Sequence, residues 1–381
     1  VTTAAPRPRC ATCEVLPTLP RGAGRLHVWL PSAHGVAKTV AAARRLGVAY
    51  HLGEAHGVAL SVGEGALAAT AAAVAGALTA LEADDTRVLF VAGAAEPSAA
   101  DVARVSSLTR FQALLDSAWL VDVLEEARLT SLFQPIALGD DPGRVVGHEA
   151  LLRGAGADGA VLPPARLFEA ARRAGLLFPL DLAARRTHIA SAARAGLGGL
   201  LFLNFTPTAI YDPAMCLRST VAAIDAAGIA HERVVFEVVE SEAIADTDHL
   251  RAILDYYRAA GFRVALDDVG AGYSSLNRLH LLRPDLLKLD MQLVRGVHAD
   301  PYKAVVAEKV LELADTLGIP VLAEGVETAD ELAWLQARRI RYVQGWHVGR
   351  PAAEPRAVAA TPADAGLRSW HDRGEAALAR A

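Results

Sequence analysis

Several apolar runs in the second half of this 381-residue chain end in residues that a dry core would reject. Leu200–Leu203 runs into Asn204, Val234–Phe236 into Glu237, Val264–Leu266 into Asp267 and Asp268, and Val321–Ala323 into Glu324. Glu149 sits inside the run that ends at Arg153, and Lys288 lies near the end of its own apolar run. If these runs are strands of one parallel sheet, five carboxylates and an amide converge at their C-terminal ends. Converging carboxylates repel one another and resist desolvation. Something positive must neutralise them, and an all-oxygen ligand set suits hard cations such as Mg2+, Mn2+ or Ca2+. Two such ions about 3.5–4 Å apart, sharing a carboxylate, form the usual site for phosphodiester hydrolysis. Any one of these acids alone reads equally well as a solvated strand end or a helix cap; their shared register argues for a site.

The pair Asp267-Asp268 carries a further constraint. Neighbouring side chains on a strand point to opposite faces, so two metal-directed aspartates require the strand to be ending there. Gly270 and Gly272 then let the chain turn, and Val269–Leu276 reads as a flexible loop attached to the ligands. A purely structural Lys288 would extend outward to solvent. Facing the acids instead, it can hold the attacking water or stabilise charge on phosphoryl oxygens.

The elements needed to position these residues can be read from the pattern. Phe133–Leu138 and Arg144–Leu152 flank Gly139-Asp140-Asp141-Pro142-Gly143, which reads as a hairpin. Apolar runs at Leu200–Asn204, Val234–Val239, Arg263–Asp267, Leu286–Asp290 and Pro320–Glu324, with a last one near Gln344, alternate with helical stretches. Eight strands with intervening helices predict a TIM-like (β/α)8 barrel with one antiparallel strand, whose C-terminal strand ends form the mouth. A doubly wound open sheet is the alternative, but its first βα turn should carry a Gly-rich phosphate loop, and none is present.

Ahead of the barrel, residues 23–98 read as a small α/β unit. Strands are expected at Arg25–Leu30, Val48–Leu52, Val58–Val62 and Arg87–Val91, with helices at Ala37–Leu46 and Ala66–Leu81. The order βαββαβ suits a ferredoxin-like sandwich. Residues 1–22 read as an irregular tail, 99–128 as a helical linker, 129–355 as the barrel and 356–381 as a helical tail. The alanine-rich stretch Gly65–Leu81 is short and weakly apolar, and reads as a buried soluble helix rather than a membrane span. The net charge of −5 argues against a broad basic surface for DNA or RNA. Three cysteines cannot build a disulfide framework, and no signal peptide is visible, so a cytoplasmic setting is expected. Cys10 and Cys13 form a CxxC pair, which supplies only half of a four-cysteine zinc site. His148 adjoins Glu149 but should alternate away from it, so packing is its expected role.

The ordered set resembles the EAL-domain family. It comprises Gln134-Pro135-Ile136, Glu149-Ala150-Leu151-Leu152-Arg153, Asn204, Glu237-Val238-Val239-Glu240 and Asp267-Asp268-Val269-Gly270-Ala271-Gly272. It continues through Lys288-Leu289-Asp290, Ala323-Glu324-Gly325-Val326-Glu327-Thr328, Gln344-Gly345 and Pro351, about 225 residues in all. The resemblance implies hydrolysis of cyclic di-GMP to linear pGpG with two Mg2+ or Mn2+ ions. It implies Glu149, Asn204, Glu237 and Asp267 as ligands of one metal, and Asp267, Asp268 and Glu324 as serving the second. It further implies Lys288 as the residue that orients the attacking water, with Glu149, Glu324 and Gln344 in the catalytic set. Gln134, Leu151, Arg153, Gln344 and Pro351 would contact substrate. Glu240 would anchor the loop after Asp268, near a barrel–barrel contact of a homodimer. Two positions depart from the family's habit: Val269 stands where Phe is common, and Val239 where Thr is usual. Some family members are non-catalytic cyclic di-GMP receptors, which usually lack some of the acids; every expected ligand is present here. No motif of the neighbouring GGDEF-type synthase domain is recognisable.

Overall fold

A computed structural model describes residues 15–93, 95–210, 212–239, 247–270 and 275–358. The chain divides into two compact units. Residues 15–128 group with Ala155–Leu180, and Leu129–Gly154 groups with residues 181–358.

In the first unit, β1 (Gly24–Trp29), β2 (Tyr50–Leu52), β3 (Gly57–Val62), β4 (Arg87–Ala92) and β5 (Ser106–Ser107) form one sheet. Its order is β2-β3-β1-β4-β5, antiparallel throughout. The helices α1 (Ala33–Leu46) and α2 (Leu67–Ala77) follow β1 and β3, so the first four strands have the expected ferredoxin-like topology. Ser32 caps α1 through its hydroxyl, and Gly47 ends it in the left-handed region at φ 66°. Strand alternation sends Leu26, Val28, Val58, Leu60, Val88 and Phe90 into one core with Ala43, Ala71 and Val74 of the helices.

Two expectations are corrected here. The helix expected over Ala66–Leu81 breaks at Leu78. Thr79 there starts α3 (Ala80–Asp85) with a reciprocal capping box to Glu82, a local interaction that outweighs continuing the alanine run. The stretch expected to be helical over Ala99–Leu129 is a 3-10 turn, then β5, then α4 (Leu108–Asp116) and α5 (Ala118–Glu125). Leu108 and Phe111 of α4 belong to the core of the small unit. Among the described residues, no helix is long and apolar enough to cross a membrane.

The barrel strands are β6 (Leu129–Leu138), β7 (Val145–Ala155), β9 (Leu200–Asn204), β10 (Val234–Val239), β11 (Arg263–Val269), β12 (Leu286–Leu289), β13 (Val321–Ala323) and β14 (Tyr342–Gln344). A two-residue strand, β8 (Val161–Leu162), lies outside the ring, and α6 (Pro164–Ala174) follows it. The ring runs β6-β14-β13-β12-β11-β10-β9-β7 and closes through β6–β7. β6 is antiparallel to both neighbours and the other pairings are parallel. One strand set against the rest is what the opening hairpin requires.

The barrel floor is an apolar plug that includes Phe202, Val235, Ala265, Leu286, Leu322 and Tyr342. Interior positions recur every second residue, so the next inward position on each of these strands is Asn204, Glu237, Asp267, Lys288, Glu324 and Gln344. The polar layer therefore stands directly on a dry one. Outside the wall, Phe236 stacks on Tyr257 with centroids 3.9 Å apart.

One buried histidine gives a stability prediction. His188, on the helix Leu177–Arg194, has Nδ1 2.7 Å from Ser131 Oγ. Burial, opposed by the charge of Glu149, holds its pKa down to about 4 from an ordinary 6.5. Between those values the unfolded chain binds more protons, so stability contributed by neutral His188 is present above 6.5 and lost as pH falls toward 4. The full loss is on the order of 3 kcal/mol. Urea unfolding at pH 7, 5.5 and 4 should show wild type losing more stability than His188→Gln. Parallel losses would exclude His188 as a source of acid sensitivity.

Candidate active site

The side chain of Lys288 enters the mouth from β12 and is 1% exposed. Its Nζ lies 2.8 Å from Glu237 Oε1, 2.8 Å from Glu324 Oε1, 3.0 Å from Asp267 Oδ2 and 3.9 Å from Glu149 Oε2. Four strands and the residue just past a fifth thus bring four carboxylates to one ammonium. Glu149 is held separately: Asn204 Nδ2 donates to Oε1 at 2.9 Å and Gln344 Nε2 donates to Oε2 at 2.7 Å. These amides fix both oxygens of the carboxylate without adding charge.

Asp268 completes the cluster by a backbone device absent from the expectation. β11 does not end at Asp267; it continues to Val269, with an irregular register against β12 between Leu266 and Val269. Asp268 takes φ 56°, in the left-handed region, which aspartate tolerates better than most residues. Its N–H donates to Asp267 Oδ1 at 2.9 Å. Ligand atoms of Asp267, Asp268 and Glu324 consequently lie within 4.8 Å of one another, close enough to share a cation.

The electrostatics follow from this crowding on an apolar floor. Burial raises Glu237 well above the usual carboxylate range; Lys288 pulls it down, while Glu149 and Asp267 push it up. Burial likewise raises Asp267 against the pull of Lys288. Glu324 is pushed up to about 8 by burial, with Lys288 opposing and Asp267 and Glu149 reinforcing. Asp268 reaches about 6 through burial and the charges of Asp267 and Asp290. Burial disfavours the Lys288 charge, yet Asp267, Glu149, Glu237 and Glu324 hold the ammonium well above its ordinary value.

These residues fit divalent metal. Five carboxylates, Glu149, Glu237, Asp267, Asp268 and Glu324, face one ammonium. Fully ionised, they leave four formal negative charges, which two divalent cations neutralise. Oε2 of the fully buried Glu237 and Oε1 of Gln344 make no hydrogen bond among the described residues. Buried polar atoms of this kind carry a desolvation cost that a bound cation removes.

A cavity of about 240 Å3 opens over the cluster, lined in part by Gln134, Glu149, Asp268, Glu324 and Gln344. Its described lining does not include Leu151, Arg153 or Pro351. Leu151 and Arg153 lie further along β7, and the Arg153 guanidinium donates to Leu152 O at 2.7 Å. Pro351 adjoins Ala352, which bridges to Phe133 of β6. Glu240, Gly272, Cys10 and Cys13 lie outside the described residues, and Cys216 is a buried free thiol.

Sequence reasoning assigned no role to Asp290, Met291, Arg295, Glu327 or Trp346, which also line the cavity. Asp290 caps the short helix that follows β12, accepting from Gln292 N at 2.7 Å. Gly325, at φ 67°, leaves room that a Cβ would take from Met291. Trp346 is 53% exposed, and the Arg350 guanidinium lies 4.1 Å from its ring centroid. The available signal was position: Trp346 comes two residues after Gln344, at the open end of the last strand.

The EAL domain family model matches residues 117–351. A signaling protein of Caulobacter vibrioides, uncharacterized, is 31% identical over 243 residues, covering 64% of this chain and 29% of that protein. The probable cyclic di-GMP phosphodiesterase PdeG of Escherichia coli K12 is 32% identical over 238 residues, covering 60% of this chain and 45% of that protein. The chain thus spans less than half the length of these curated relatives. A standalone versatile EAL protein of Vibrio cholerae O395, solved with cyclic di-GMP bound, is 33% identical with a TM-score of 0.54. It covers 62% of this chain and 97% of that one.

Proposed function

The chain belongs to the EAL domain family, and from that membership we propose that it hydrolyses one phosphodiester bond of cyclic di-GMP, giving linear pGpG, with two Mg2+ or Mn2+ ions. The observation that carries the proposal is the set of four carboxylates gathered around Lys288 on a dry floor, with Asp268 beside Asp267 and Glu324, and with Oε2 of the buried Glu237 lacking a hydrogen bond. Glu149, Asn204, Glu237 and Asp267 would hold one ion; Asp267, Asp268 and Glu324 would hold the other. Bound there, the ions supply Lewis acidity toward a phosphoryl oxygen and lower the pKa of water.

The chain's own residues supply position and charge. Gln344 and Asn204 fix the Glu149 carboxylate. Lys288 presents a permanent positive charge that orients the attacking water and opposes negative charge developing on the phosphoryl oxygens. Asp268, held left-handed, joins Asp267 on the reacting side. Gln134 and Trp346 reach the substrate from the cavity wall, Trp346 offering a face on which a base can stack. Arg153, Leu151 and Pro351 are assigned to more distant parts of the substrate. The family resemblance extends the proposal to a homodimer in the cytoplasm.

Purified protein incubated with cyclic di-GMP should yield pGpG with Mn2+ and none with EDTA, as followed by ion-exchange chromatography. Tight binding of cyclic di-GMP with no product under any divalent metal would make the chain a receptor and overturn the proposal.

A further inference from the structure

A larger cavity, about 650 Å3, lies within the small unit. It sits on the sheet face turned away from the core that α1 and α2 cover. Strand register shows how it is made. Across the sheet, Arg25 of β1 stands beside Ser61 of β3, His27 beside Ala59, and Trp29 beside Gly57. His51 of β2 flanks Ala59 from the other side. The middle strand thus carries only small residues on this face, while both neighbours carry rings. The result is a trough with a Gly57-Ala59-Ser61 floor and aromatic walls.

Three further observations point to a ligand. The rings of His27 and Trp29 are stacked, with centroids 6.0 Å apart and planes 20° from parallel, and Trp29 leans over Gly57. His27 is 7% exposed and lines the cavity, yet its Nε2 has no hydrogen-bond partner among the described residues. Burial, partly offset by Glu96, lowers its pKa and keeps the imidazole neutral. The hairpin joining β2 and β3 turns through Ala55 and His56 at φ 50° and 60°. Glycine or asparagine would be the ordinary choice in such a turn. Backbone strain of this kind concentrates at sites that bind, and here it keeps Gly53 and Glu54 at one end of the cavity. Arg25 stands at the other end, ion-paired with Glu96. Four residue steps along β1 separate the Arg25 and Trp29 positions, about 13 Å, enough to span an extended mononucleotide.

We propose that this trough binds a guanine nucleoside monophosphate. The base lies over Gly57 and Ala59 against His27 and Trp29, within reach of the Glu54 carboxylate as acceptor for guanine N–H groups. The phosphate lies at Arg25 and Ser61. The site is separate from the barrel chemistry and stands independently of the reaction proposed above; it gives the small unit a role as a nucleotide-sensing input.

The test is isothermal titration of the full chain with GMP in EDTA, with AMP and inorganic phosphate as comparison probes. Saturable GMP binding is expected, at least about tenfold tighter than AMP or phosphate. It should be weakened at least about tenfold by Trp29→Ala and by Arg25→Ala, and unchanged by Asp267→Asn in the barrel. A filling variant, Ala59→Trp, should abolish it, with its melting curve as a check on folding. Absence of GMP binding overturns the proposal. So does binding of phosphate or AMP as tight as GMP, or binding that survives Trp29→Ala and Arg25→Ala but fails in Asp267→Asn. A concentration-dependent dimer lost in Trp29→Ala, without GMP binding, would show instead that a second copy covers the face.

Discussion

Asp267→Asn should lower turnover of cyclic di-GMP by about 10³-fold or more under saturating Mn2+, without loss of fold. The substitution keeps shape and keeps an oxygen that can accept from Asp268 N, so the bulge and the left-handed residue after it are preserved. What disappears is one negative charge from the only residue that the proposal assigns to both ions. The same change should raise the melting temperature of the metal-free protein at neutral pH by a few degrees, on the order of 1 kcal/mol. Burial raises the folded-state pKa of Asp267, so its ionised form costs the folded state energy that an amide does not. Activity assays and melting curves on the same preparation check both halves. Near-normal turnover would mean that the ligand assignment is wrong.

Lys288→Met should produce the opposite pattern in stability and the same direction in activity. The ammonium is the cation closest to Glu237, Glu324 and Asp267. Removing it leaves a buried cluster of like charge with no counter-charge, a change that costs about 3–5 kcal/mol when a buried pair is broken. Metal-free protein should therefore melt well below wild type, and Mn2+ should recover part of that loss. Turnover should fall by about 10²–10³-fold and stay low with metal added, because no other group replaces the charge at the reacting centre. If Mn2+ restored turnover along with stability, Lys288 would act only by holding the acids in place.

Much of the barrel was legible because its signal has a fixed period. Each strand alternates in and out, and on six strands the polar residue follows the apolar plug by two positions. The signal could be read without knowing which strands touch. Contacts between distant residues carry no such local mark: Gln344 and Glu149 are 195 positions apart, and nothing near either announces their hydrogen bond. The end of β11 was misread for a related reason. Alternation implies that adjacent aspartates diverge, and the way around it is a φ angle, which residue types restrict only loosely. In the small unit, alanine blurred the helices. Every position in Ala66–Leu81 tolerates helix, so Thr79 and Glu82, a capping signature, were the decisive residues. Trp346 escaped notice because one exposed aromatic is ordinary on any surface.

The grouping of Ala155–Leu180 with residues 15–128 has a consequence for inheritance. The backbone passes from one compact unit to the other three times, near residues 128, 154 and 180, so the small unit is assembled from two separate stretches of gene. Genetic exchange that replaces everything before Leu129 in a single recombination event would leave α6 facing a stranger in place of α4, against which it packs. A viable exchange has to carry both stretches, or preserve the surface that α4 presents. Related chains should then show residues on α4 and α6 changing together across lineages, while the barrel strands change independently of them.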